Sequence, residues 1–107
     1  MLEEWYSFKD YRDDLHVILA QETDGMAKTA GDSVYNRPAF PATWARMHGK
    51  GRVFYTSMGH REDVWTNPVF QSMLEGGLKW ALREVDFDAT PNVKKATPDY
   101  AVIPPEK

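Results

Sequence analysis

The sequence predicts an α/β fold, and three stretches carry that prediction. His16–Gln21 (HVILAQ) is a short, continuous apolar run containing β-branched residues, the pattern of a strand buried on both faces of a parallel sheet. Residues 43–48 and 52–58 read as two further strands joined through Gly49-Lys50-Gly51, since glycines supply the positive φ that a short hairpin loop requires. Residues 68–84 repeat apolar side chains at helical spacing. Strand, turn, strand, polar loop and helix therefore follow one another between Trp44 and Trp80.

Size and composition narrow the reading further. A chain of 107 residues holds one domain, and 42% hydrophobic with 13% aromatic residues is enough for a core. Thirteen basic against sixteen acidic residues leave a formal charge of −3. The basic residues are scattered, whereas nucleic-acid binders gather them on one face, so no nucleic-acid partner is expected. The absence of cysteine excludes disulfides, thiolate metal sites and a Cys nucleophile within this chain. The longest apolar run, residues 17–20, is far short of the roughly 20 residues of a membrane span. Residues 1–14 are acidic and aromatic, with no basic segment leading into an apolar one, which is not the pattern of a signal peptide. The expectation is a soluble, cytoplasmic protein with no membrane partner.

Taken in order, residues 1–14 mix Trp5, Tyr6, Phe8 and Tyr11 with acids and show no clean period, so an irregular segment with its aromatics packed down is expected. Residues 22–42 carry Asp24-Gly25, Gly31-Asp32, Pro38 and Pro41 and read as a long connection, either a binding edge or simple surface irregularity. On the first hairpin strand Trp44, Arg46 and His48 share one face. Both faces of residues 52–58 are largely apolar, which predicts that this strand lies inside the sheet. Asn67-Pro68 is a helix start, Asn as N-cap and Pro at the first helical position. Phe70, Met73, Leu74, Gly77, Leu78 and Ala81 form the apolar stripe, and Gly77 on that stripe predicts close approach of the helix to the sheet. Residues 1–85 are expected to fold and residues 86–107, with Pro91, Pro98, Pro104 and Pro105, to form an extended tail.

The chemistry concentrates in Gly59-His60-Arg61-Glu62-Asp63, at the carboxyl end of a strand and ahead of a helix, where open α/β sheets tend to place ligands. His60 is of the residue type that serves as an acid, a base or a ligand; it equally suits a hydrogen bond to a loop carbonyl. Glu62 can orient it or act as a second acid/base, and Arg61 can clamp an anionic or polyhydroxyl substrate. His60, Glu62 and Asp63 with His48 or Glu4 offer metal donors, but their spacing matches no strong zinc pattern, and no metal is assigned. Trp65 and Trp80 read as core or loop anchors, with a stacking platform as the alternative. No cofactor is indicated.

The run HGKGRVFYTSMGHREDVWTNPVFQSMLEGGLKWAL resembles the C-terminal signature of the ThuA-like, or trehalose-utilisation, family: a Trp-containing strand, G-K-G-R-V-F-Y, G-H, a W-x-N-P helix start and a helix ending near G-x-x-W-A. Glu4-Trp5-Tyr6 resembles the family's acidic-aromatic segment, His16–Gln21 its following buried strand, and the tail DATPNVKKATPDY also fits. The resemblance implies a flavodoxin-like, class I glutamine-amidotransferase-like α/β sheet flanked by helices, incomplete here because the chain corresponds to the C-terminal half of the domain. It implies a sheet edge left open for a second chain, as in a homo-oligomer, and a targeting segment could be lost with the other half. His60 and Glu62 match the H-x-E pair of the amidotransferase relatives; with no cysteine, glutamine hydrolysis is not expected. The expected function is work on a sugar or an oxidised disaccharide, with His60, Glu62 and Glu4 catalytic and Tyr6, Arg61 and Trp65 holding the small-molecule sugar. The alternatives are a non-catalytic carbohydrate-binding or scaffolding domain and an inactive fragment.

Overall fold

A computed structural model describes residues 5–24 and 34–104 of the chain. Three strands, β1 (His16–Gln21), β2 (Phe40–His48) and β3 (Gly51–Thr56), form one sheet in the order β1-β2-β3. Helix α1 (Pro68–Ala81) packs on it, and a short helix, α2 (Val93–Ala96), follows. This is a small α/β fold, consistent with an incomplete flavodoxin-like sheet.

The hairpin turns where the sequence predicts, but one residue more tightly: Gly51, expected in the turn, is the first residue of β3. His48 pairs with Gly51, so Gly49 and Lys50 alone form the loop, and only Gly49 (φ 61°) has positive φ, the pattern of a type II′ turn. That register sets Ala45 opposite Phe54 and Trp44 opposite Tyr55. Thr43 and Thr56 also pair, their hydroxyls 2.9 Å apart.

Three expectations about the sheet are corrected. β1 is antiparallel to β2 and is not buried on both faces: Ile18 and Leu19 are 39% and 41% exposed. A continuous apolar run reports burial potential, not strand direction. Second, β2 is the central strand and β3 lies at an edge. The two-sided apolarity of β3 reflects α1 against one face and a cluster of aromatic rings against the other. Third, β2 begins at Phe40 and runs through Pro41, which sequence alone assigns to a loop. Proline has no N–H for a ladder, and the β1–β2 register is irregular where Pro41 faces Ala20.

The outer edge of β1 is covered at Val17 by one side chain. Asn92 Oδ1 accepts from Val17 N at 2.5 Å and Asn92 Nδ2 donates to Val17 O at 3.3 Å, while Asn92 N donates to Leu15 O at 2.9 Å. The carboxamide thus pairs with Val17 as a neighbouring peptide group would. Leu15, Val17 and Val93 form a core beside it, packed by Tyr11, Trp44 and Tyr100. Residues 86–104 are therefore not uniformly extended: α2 places Val93 in that core, 1% exposed.

α1 starts as predicted, with Asn67 Oδ1 accepting from Val69 N (2.9 Å) and Phe70 N (3.4 Å). It ends at Ala81 rather than residue 84. Glu84 N donates to Lys79 O, Arg83 N donates to Trp80 O, and Arg83 takes φ 65°, which together make a Schellman cap. Phe70, Gly77 and Trp80 are its buried residues, whereas Leu78, expected on the buried stripe, is 58% exposed. Arg52 of β3 ties down the helix end, donating to Trp80 O at 2.9 Å and Val85 O at 3.1 Å.

Candidate functional site

β3 ends by turning its backbone into a short, well-anchored loop. Ser57 N extends the pairing to Ala42 O at 3.0 Å, and Met58 N then donates to the Thr56 hydroxyl at 3.2 Å. Gly59 has φ 116°, a region open to glycine and closed to most side chains. The Trp65 indole N–H donates to Gly59 O at 2.9 Å, and a Cβ on Gly59 would stand 3.3 Å from the indole ring. Trp65 in turn meets Phe70 of α1 edge to face at 5.1 Å, and Gln71 Nε2 donates to Trp65 O at 2.8 Å. Buried Val64, 1% exposed, pins the single 3-10 turn at Glu62–Val64 beneath the loop.

On this base His60, Arg61, Glu62 and Asp63 line one solvent-open concavity of about 430 Å³. All four are exposed. Arg61 Nε donates to Asp63 Oδ1 at 3.0 Å, and that hydrogen bond, more than the guanidinium's charge, holds the Asp63 carboxyl below the usual carboxylate range. The strand end therefore presents an imidazole, a carboxylate and an Arg–Asp pair to one volume, a set suited to moving a proton while gripping a polar substrate.

Tyr6 is not among the residues lining the His60 concavity. It is 42% exposed, and burial first and the Tyr6 phenol second raise the Tyr55 phenol above its ordinary value. The segment bearing Tyr6 is stapled by Arg37, which donates to Ser7 Oγ at 3.2 Å, to Phe8 O, and to Tyr100 O at 2.8 Å. Arg37 is buried, stacks on Phe40 at 4.4 Å, and has its pKa lowered by burial, with Tyr11 acting in the opposite sense. Glu4 lies outside the described residues. Trp65 is half exposed, and its observed contacts anchor the loop.

Among the described residues no three His, Asp or Glu side chains form a metal-holding group. His48 cannot join His60, because the hairpin puts it at the opposite end of β3. Sequence reasoning did not pick out a second cavity, about 380 Å³, on the sheet face away from α1, walled by Phe8, Tyr11, Trp44 and Tyr55. The three-residue turn expected from the sequence would have shifted the register; the observed two-residue loop at Gly49-Lys50 sets Trp44 opposite Tyr55.

The family model described as ThuA, trehalose utilisation, matches residues 1–81. The chain belongs to the ThuA family. That match takes in the Trp5-Tyr6 segment, all three strands, the His60 loop and α1, so the ThuA region contains the whole candidate site. No curated protein and no solved structure matches this ThuA chain. Among its described residues no helix is long and apolar enough to cross a membrane.

Proposed function

We propose that this ThuA domain acts on a sugar or an oxidised disaccharide at the concavity beyond β3. His60 takes or delivers the proton at the reacting sugar position, Glu62 orients it or serves as the second acid/base, and Arg61 grips the substrate's polar groups. Trp65 offers the exposed part of its ring to the sugar while its N–H keeps Gly59 in place. Tyr6 approaches from the neighbouring segment, and Glu4 is assigned to the same catalytic set on sequence alone. The observation that carries this reading is the shared concavity of His60, Arg61, Glu62 and Asp63 on an anchored strand-end loop; the trehalose-utilisation family description supports the substrate class.

The open edge of β3 supports a second copy as partner. Among the described residues β3 has β2 on one side and no strand on the other, whereas β1, the other edge, is covered at Val17 by Asn92. Analytical ultracentrifugation tests this: a monomer at all concentrations would remove the oligomer from the reading.

The function is tested by incubating the protein with a panel of disaccharides and their keto derivatives and following each by NMR. Conversion of at least one sugar is expected. Saturable binding with no conversion over hours would replace the enzyme by a carbohydrate-binding domain.

A further inference from the structure

The cavity on the face away from α1 has a composition that the His60 site does not explain. Trp44 and Tyr55 stack across β2 and β3 with centroids 4.3 Å apart and an interplanar angle of 26°. Phe8 meets both edge to face, at 6.4 and 5.9 Å, and Tyr11 meets Trp44 at 5.7 Å. All four rings are only half buried, so apolar ring surface remains open to the cavity after they have packed on one another.

The rim is charged and unbalanced. Asp14 receives Arg46 Nε at 3.2 Å and Nη2 at 3.0 Å, and also Arg12 Nε at 3.2 Å. Two guanidiniums thus share one carboxylate. Lys9 and Asp10, also on the rim, offset each other, so the cavity mouth carries a net positive charge in a chain of formal charge −3. Arg12 lines the cavity, bonds Asp14 through Nε alone, and its side chain is 67% exposed.

A half-open cavity of this size with apolar walls and a few polar groups at its rim is the ordinary form of a small-molecule site. Aromatic walls suit the C–H face of a sugar ring, and a guanidinium fork suits a carboxylate or phosphate. We propose that this groove binds a sugar ring bearing an acidic group, the ring lying against the Trp44–Tyr55 wall and the acid meeting Arg12. The proposal shares only the sugar class with the His60 reading and uses none of its residues.

The test is a titration followed by calorimetry and by the NMR shift of the Trp44 indole N–H, with glucose 6-phosphate, glucuronate, glucose and inorganic phosphate as probes. At least one acid sugar should bind tenfold or more tighter than glucose and move the Trp44 signal; whichever binds tighter names the source of the acid. Arg12→Gln, at an exposed position, should reduce that affinity to the level of glucose. His60→Ala should leave it unchanged even where turnover is lost, which separates this site from the strand-end one. Acid sugars binding no tighter than inorganic phosphate, an unaffected Arg12→Gln protein, or loss of groove binding in His60→Ala would each overturn the proposal.

Discussion

Gly77 of α1 lies directly on the ring of Phe54 in β3: a Cβ placed on Gly77 would stand 2.6 Å from Cδ1 and Cε1 of that ring. The contact sets how closely the helix seats on the sheet, and the helix start that follows the His60 loop is seated with it. Gly76, one residue earlier, has nothing within 4 Å of its would-be Cβ. Two substitutions of identical chemistry should therefore differ in sign. Gly76→Ala should stabilise by up to about 1 kcal/mol, the helix-propensity difference. Gly77→Ala should destabilise by up to about 2 kcal/mol, because overpacking of about 1–3 kcal/mol outweighs that gain. Urea denaturation midpoints of the two variants check this.

Asn92→Ala removes both side-chain hydrogen bonds to Val17. With the buried Val17 N–H left without its partner, the loss should be about 1–2 kcal/mol. Hydrogen exchange should show faster exchange at Val17 together with the lowered denaturation midpoint. Unchanged protection at Val17 would mean that the carboxamide does not cover the edge there.

Asp14 gives a pH signature. Hydrogen bonds from Arg46 hold its carboxyl below the usual carboxylate range, partial burial opposes this, and Arg12 adds to the lowering. A group with a depressed folded-state pKa contributes stability that is fully present above its unfolded value and is lost as pH falls through the folded value. Asp14→Asn should therefore be about 0.5–1 kcal/mol less stable than wild type at neutral pH, the range for a partly exposed pair. The gap should close progressively as pH drops below the ordinary carboxylate range, which thermal melts across pH will show.

The hairpin and its glycine turn, the Asn67 cap and the Gly77 approach were legible in the sequence because each rests on local chemistry: a positive φ, a side-chain acceptor, a missing Cβ; the exact turn length was not, since Gly51 belongs to β3. The strand directions and edges were not. The apolar run of β1 looks the same whether its neighbour is parallel or antiparallel, and β3 is apolar on both faces while lying at an edge. Pro41 concealed the start of β2, because a proline inside a strand depends on a register irregularity, here the extra residue Ala42 of β2 between the partners of Leu19 and Ala20. Asn92 could not be foreseen at all, since it meets Val17 across 75 positions of chain. For the site, the contiguous residues 60–63 were readable as a cluster. The groove of Phe8, Tyr11, Trp44 and Tyr55 draws on three separate segments and becomes visible only once the register is drawn.

The central claim is that His60, on the loop that Trp65 anchors, handles the proton in a reaction on a sugar. The direct measurement is kcat/KM of His60→Ala beside wild type on the sugar that the NMR panel shows to be converted, with circular dichroism confirming an intact fold. A loss of about 100- to 10,000-fold is expected for removal of a general acid/base, with His60 exposed enough that stability stays unchanged. Turnover equal to wild type would show that the chemistry is not done at the end of β3.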